Sequence, residues 1–158
     1  MANIFETELS KSFTALGWWH HKLSTSVSPS PVARRFMRKT PFDFFAASGR
    51  SNPAIEAKSS KRLGSFPFER VEDHQVEGLK DYKNHNNPAW ILLNFRKPRN
   101  VTYAVDIDSW IKLTNKLDRK SVPAALLKAK PFIEIPRIKI VTEDITQLIW
   151  DLRVLEGR

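Results

Sequence analysis

The tetrapeptide Ser48-Gly49-Arg50-Ser51 constrains this chain more than any other feature. A glycine leading a two-residue loop is the signature of a type II′ hairpin turn. The residues on either side fit the arms of a hairpin. Phe36 to Ala47 is rich in aromatics and reads as a long strand bent near Pro41, and Pro53 to Ser59 reads as a short strand around Ile55. A turn centred between Gly49 and Arg50 pairs residues equidistant from that point, so Asp43 falls opposite Glu56. Their Cβ atoms would then lie about 5 Å apart. A loop extended to Asn52-Pro53 shifts this pairing and still leaves the two carboxylates near each other.

Two like charges so placed repel, and a divalent cation held between them turns that cost into a site. Lys58 lies two residues after Glu56 and projects from the same face of a strand. The backbone carbonyl of Ala57 is one more hard oxygen within reach. Phosphodiester hydrolysis needs such a set: Asp43 and Glu56 hold a metal that activates water, and Lys58 orients the water or offsets charge on the transition state.

The charge of the chain points to the same substrate class. It carries 26 Lys+Arg against 17 Asp+Glu, for a net charge of +9. Nine of the basic residues, Lys22, Arg34, Arg35, Arg38, Lys39, Arg50, Lys58, Lys61 and Arg62, fall between Trp18 and Arg62, with only Asp43 and Glu56 as acids among them. These cations lie among Ser, Pro and β-formers, where a membrane-surface helix would gather them on one face. Nucleic acid is therefore the expected partner, with Lys22, Arg34, Arg35, Arg38, Lys39, Arg50, Lys61 and Arg62 as the expected contacts.

Other classes fall away. The absence of cysteine excludes a disulfide framework, a thiolate metal site and a cysteine nucleophile. No apolar run approaches the roughly 18 residues of a membrane span, and Glu6 and Glu8 stand where a signal peptide would be basic. A soluble, unexported, cytoplasmic protein with no membrane partner and no small-molecule substrate is expected.

Periodicity supplies the remaining elements. Phe5, Leu9, Phe13 and Leu16 predict an amphipathic helix over Ala2 to Gly17. Trp18 to Thr25 looks extended, and the Ser/Pro-rich stretch within a short basic loop at about 24–36 follows it. Glu69 to Asn84 reads as a helix, Trp90 to Phe95 as a buried strand and Val101 to Ile107 as another. Asp108 is placed to cap a helix carrying Trp110, Ile111, Leu113 and Leu117. Leu117 to Pro136 reads as irregular. Thr142 is placed to cap a terminal helix at about 142–156 carrying Ile145, Leu148, Ile149, Leu152 and Leu155. The expected architecture is an α/β domain with a central mixed sheet, a single unit over residues 1–158.

Asp43, twelve further residues and then Glu56-Ala57-Lys58 resembles the PD-(D/E)XK nuclease signature, with Pro41-Phe42-Asp43 as its first half. Phe5-Glu6 is similar to the helical glutamate that completes the metal site in Holliday junction resolvases of the RecU-like and Hjc-like groups. Phe66-Pro67-Phe68-Glu69-Arg70-Val71-Glu72-Asp73-His74-Gln75 resembles the RecU segment ending in a His-Gln pair. Arg119-Lys120-Ser121-Val122-Pro123 resembles a short basic stretch near the end of RecU. The resemblance runs from about Phe5 to about Pro123, with a briefer loop from Ser24 to Arg35 than the RecU stalk. It implies a restriction-endonuclease-like fold, Mg²⁺ with Mn²⁺ as a substitute, a homodimer, and symmetric cutting of four-way DNA junctions. It also implies roles for Glu6 as a ligand and for Gln75 in holding water or a phosphate oxygen.

Other substrates remain open to the same fold: a nickase, a flap or repair nuclease, a restriction-like enzyme, or a non-catalytic DNA-binding protein. The adjacent His20 and His21 point to opposite faces of a strand, so they do not form a metal site. Trp18 and Trp19 suit either stacking on exposed bases or packing in a core or dimer.

Overall fold

The computed structural model describes residues 3–23 and 39–157. In chain order its elements are α1 (Ile4–Ala15), β1 (Trp19–Lys22), β2 (Phe44–Ala47), β3 (Ala54–Arg62), β4 (Ser65–Pro67), α2 (Asp73–Asn84), β5 (Ala89–Lys97), β6 (Val101–Asp106), α3 (Ile107–Lys116), β7 (Ser121–Pro123), β8 (Ile133–Glu134), β9 (Arg137–Val141) and β10 (Thr146–Trp150). Six strands form a mixed sheet in the order β1-β2-β3-β5-β6-β8. Within it β3 and β5 are parallel and the other neighbours antiparallel. Parallel neighbours need a crossover, and α2 supplies it. Two further ribbons, β4 with β7 and β9 with β10, lie outside this sheet.

The sheet separates two apolar layers because strand side chains alternate. Along β5, Trp90 and Leu92 face α1, where Phe5, Leu9 and Phe13 meet Phe44, Ile55 and Ala57. Ala89, Ile91, Leu93 and Phe95 face the other way, toward Leu79 of α2 and Trp110 of α3. A strand buried on both faces reads as a continuous apolar run, as Ala89–Leu93 does. Each large side chain so buried contributes about 1.5–3 kcal/mol.

Local sequence sets the helix limits. Asn3 caps α1 by accepting from the Phe5 N–H at 2.9 Å, and Gly17, at φ +74°, lets the chain leave it. The cap of α3 is Asp106, not Asp108: its carboxylate accepts from the Asp108 N–H at 2.9 Å. That frees Asp108 to pair with Lys80 and Lys83 of α2.

The structure corrects three further expectations. The terminal segment is not a helix but the β9–β10 hairpin followed by a short 3-10 turn at Leu152–Leu155. Thr142 closes the hairpin loop by bonding the Ile145 carbonyl from its N–H at 2.8 Å. The spacing of Ile145, Leu148 and Ile149 suits a helix, but the β-branched content of Arg137–Val141 and Thr146–Trp150 suits a strand pair, and docking on α1 decides the outcome. Leu117 to Pro136 is only partly irregular, for it holds β7, a 3-10 turn and β8. Among the described residues of the strand expected over 36–47, only Phe44–Ala47 is regular, with Asp43 in a bend after Pro41. The loop expected at 24–36 lies outside the described residues.

Candidate active site

The hairpin register is the one the turn predicts. Phe44 pairs with Ile55 and Phe45 with Ala54, and Gly49 takes φ +86° at the head of the turn. Just ahead of β2, Asp43 lies in a bend and its N–H bonds the Ile55 carbonyl at 3.1 Å, next to Glu56 of β3. Asp43 Oδ2 accepts from the Ala57 N–H at 2.8 Å, which fixes the carboxyl against β3. Glu56 is 1% exposed; its Oε1 accepts from Lys58 Nζ at 3.1 Å and from Gln75 Nε2 at 2.7 Å.

Gln75 reaches this position because it is the third residue of α2. Its carbonyl oxygen accepts from the Glu72 N–H at 2.9 Å, half of a capping box with the Glu72 side chain. The same cap therefore starts the helix and aims an amide donor at Glu56. Glu72 is held in turn by His74 at 3.1 Å and Lys39 at 3.6 Å.

The carboxyls are electrostatically frustrated. Burial, joined by the neighbouring Asp43 charge, pushes Glu56 up to about 8 against the pull of Lys58. Burial also raises Asp43, aided by the charge of Glu6, while the Ala57 N–H and Lys58 act in the opposite sense. Glu56 Oε2 is buried and has no hydrogen-bond partner. An orphaned carboxylate oxygen beside a second carboxyl is a hard, all-oxygen donor set of the kind divalent cations take. The residues present thus fit a divalent metal, although no group of three Asp, Glu, His or Cys converges among the described residues.

Glu6 and Glu8, rivals for a role on α1, separate cleanly. Glu6 lies near enough to Asp43 to influence its charge, and Lys22 Nζ pairs with it at 2.5 Å. Glu8 is spent on structure: it accepts from Arg96 at 2.8 and 3.0 Å and from Trp150 Nε1 at 3.2 Å, with Arg137 at 3.6 Å. Burial raises the Glu8 carboxyl, but those hydrogen bonds and charges outweigh it and hold the group below its ordinary value.

Of the expected DNA contacts, Lys39 is exposed beside Glu72, and Lys61 and Arg62 are exposed on β3 beyond Lys58. Arg50 is 84% exposed at the hairpin tip, 3.9 Å from Glu156. Lys22 is engaged by Glu6. Arg34, Arg35 and Arg38 lie outside the described residues.

Sequence reasoning missed the polar buttress on the far half of β3. Asn94, fully buried on β5, accepts from Ser59 Oγ at 2.9 Å and donates to Asn100 and Thr102. Arg70 holds the Ser59 carbonyl at 2.8 Å and Ser60 Oγ at 2.7 Å while stacking on Phe66. A polar asparagine within the apolar run of β5 was the available signal.

Residues 32–144 match the family model of RecU, Recombination protein U. The chain belongs to the RecU family. RecU is a family of Holliday junction resolvases, which are DNA endonucleases that use divalent metals. Among solved structures, this RecU-family chain is similar to Hjc, a Holliday junction resolvase from the archaeal hyperthermophile Archaeoglobus fulgidus. The likeness has a TM-score of 0.50 at 20% identity, covering 77% of this chain and 88% of that one. At that identity the likeness speaks for the fold, the restriction-endonuclease-like arrangement of a mixed sheet flanked by helices. No curated protein matches the chain. The RecU match spans Asp43, Glu56, Lys58 and Gln75, while α1 and β1 precede it. No helix among the described residues is long and apolar enough to cross a membrane.

Proposed function

We propose that this chain is a Holliday junction resolvase that hydrolyses phosphodiester bonds in four-way DNA junctions as a homodimer, with Asp43 and Glu56 as ligands of Mg²⁺ and Mn²⁺ as a substitute. The observation that carries this reading is the buried, unpartnered Oε2 of Glu56 beside Asp43, with Lys58 Nζ 3.1 Å from the other oxygen. When bound, the cation supplies Lewis acidity and a more acidic water. Asp43 and Glu56 hold it against the scissile phosphate, and the Ala57 carbonyl offers a further oxygen. Glu6 completes the ligand set once it leaves Lys22. Lys58 orients the attacking water or offsets charge that develops on the phosphoryl oxygens. Gln75 keeps Glu56 in the rotamer that presents Oε2.

Two sites related by a two-fold axis match a junction with two equivalent strands to cut. Lys22, Arg34, Arg35, Arg38, Lys39, Arg50, Lys61 and Arg62 hold the backbone phosphates, so binding weakens with salt. The protein works in the cytoplasm, or the host cytoplasm if viral, where its DNA lies.

The test is cleavage of a synthetic four-way junction with and without Mg²⁺, with the cuts mapped on each strand. Paired, symmetric, metal-dependent nicks are expected. Asp43→Asn and Glu56→Gln should bind the junction without cutting it. Cutting by either variant at the wild-type rate, or preference for nicked, flapped or linear DNA, overturns the reading.

A further inference from the structure

The site described above leaves the exposed face of β1 unused. Trp18 is buried against Phe13, and the His20 ring packs 5.1 Å from the same phenyl ring. Alternation along the strand puts Trp19 and His21 on the other face. There the indole is 62% exposed, and the imidazole lies nearly parallel to it, 14° apart in plane with centroids 6.3 Å apart. Together they make one extended aromatic surface open to solvent.

The register places this surface relative to the carboxylates. Trp19 pairs with Ala47 and His21 with Phe45, and the Leu23 N–H bonds the Asp43 carbonyl at 2.7 Å. Directly opposed residues of an antiparallel pair share a face. Since Phe45 in turn pairs with Ala54, Trp19 and His21 stand on the sheet face of Ala54 and, by alternation along β3, of Glu56. Four residue steps separate Ala47 from Asp43, about 13 Å along an extended chain. That span equals roughly four nucleotide steps of about 3.4 Å. The small side chain of Ala47 leaves the indole uncovered, and Arg50 is exposed three residues further along the hairpin.

We infer that Trp19 and His21 form a stacking platform for a nucleobase face left unstacked at the branch point of the DNA, seated about four nucleotides from the scissile phosphate. The platform rests on the nuclease reading only for the position of the cut. An intact duplex offers no free base face, whereas the branch point of a junction does. The platform thus contributes to selectivity for branched over linear DNA, through stacking that any base can make.

The probe is a four-way junction carrying 2-aminopurine at successive positions two to six nucleotides from the mapped cut, bound in Ca²⁺ so that the strands stay intact. Wild type and Trp19→Phe should change the 2-aminopurine fluorescence at one or two of these positions, and Trp19→Ala should not. Trp19→Ala should weaken junction binding by about tenfold and binding to a linear duplex by less than about twofold. His21→Ala should give a smaller loss in the same direction. Equal losses on junction and duplex, a Trp19→Ala fluorescence profile identical to that of wild type, or a Trp19→Ala protein that sediments as a smaller species than wild type overturns the inference. The last outcome assigns the surface to a second copy of the chain. Wild type that does not bind the junction at all counts instead against the proposed function.

Discussion

Gln75 Nε2 donates to Glu56 Oε1 across 2.7 Å while the carbonyl oxygen of the same amide accepts from the Glu72 N–H at 2.9 Å. One side chain thus couples the start of α2 to the proposed metal-binding carboxylate, and two substitutions separate its two duties. Gln75→Glu keeps an acceptor for the helix cap, since glutamate is equally suited to that position. It also removes the donor and sets a second acid against Glu56. Junction cleavage should fall about a hundredfold, in line with losses at supporting positions of metal sites. The melting temperature at pH 6, where Glu56 keeps its proton, should stay near wild type. Gln75→Ala should lose both functions, with about 1 kcal/mol of stability gone alongside the rate. Single-turnover cleavage and urea denaturation check the pair. Wild-type cleavage by Gln75→Glu would detach this amide from the chemistry.

Glu56 sits near 8 in the folded protein against an ordinary value of 4.5. The folded state therefore binds the extra proton between these values, and the contribution of this group to stability falls as pH rises from about 4.5 to about 8, then levels off. Glu56→Gln removes that dependence. It should melt above wild type at pH 9 and draw level near pH 4, by about 1.4 kcal/mol for each unit separating the folded and unfolded values. A cation must displace the same proton. Apparent Mn²⁺ affinity should then rise up to about tenfold per pH unit below 8 and flatten beyond it. Calorimetric titration at pH 6.5, 7.5 and 8.5 reads this directly; an affinity independent of pH would show that Glu56 already carries its charge.

These properties were unevenly written in the sequence. The closeness of Asp43 and Glu56 was legible because a Gly-led turn dictates the register of Phe44 with Ile55, and register dictates which side chains meet. Helix α1 was legible because its apolar stripe repeats at 3.6 residues. The terminal hairpin was not, since Ile145, Leu148 and Ile149 satisfy two periods at once and only the docking of Trp150 on α1 selects the strand. Neither were the partners of Glu6 and Glu8: two acids two residues apart in a helix point about 200° apart, and which one meets arginines depends on strands more than 80 residues away.

Glu8 is expected to matter for stability alone. It anchors β5 through Arg96 and the C-terminal hairpin through Trp150 Nε1, while Ser12 of the same helix accepts from the Trp150 N–H at 2.9 Å. Glu8→Ala strands two guanidinium groups in a half-buried setting and should cost about 3 kcal/mol. Limited proteolysis should then cut first within residues 137–150. Junction cleavage per folded molecule should stay close to wild type, whereas Glu6→Gln should do the reverse, losing cleavage at unchanged stability. A Glu8→Ala protein that is stable but inactive would exchange the two assignments.

Gly78 lies on the inner side of α2 against Pro41, two residues ahead of Asp43. A Cβ built there overlaps the Pro41 ring carbon and comes within 2.9 Å of the Pro41 carbonyl oxygen and 3.0 Å of its Cα. Glycine to alanine in a helix interior ordinarily stabilises by about 1 kcal/mol. Here the added methyl must push either the helix or the Pro41 bend, and each movement reaches the site: α2 carries Gln75, and the bend carries Asp43. Gly78→Ala should therefore destabilise by about 1–3 kcal/mol, the cost of overpacking a fitted contact. It should also slow cleavage and raise the Mn²⁺ concentration needed for half-maximal binding, although Gly78 is not itself a ligand. Denaturation and calorimetric Mn²⁺ titration of the same sample test both halves. If Gly78→Ala is stabilised and binds Mn²⁺ as wild type does, Pro41 is free to yield, and the position of Asp43 is set by its hydrogen bonds to Leu23, Ile55 and Ala57.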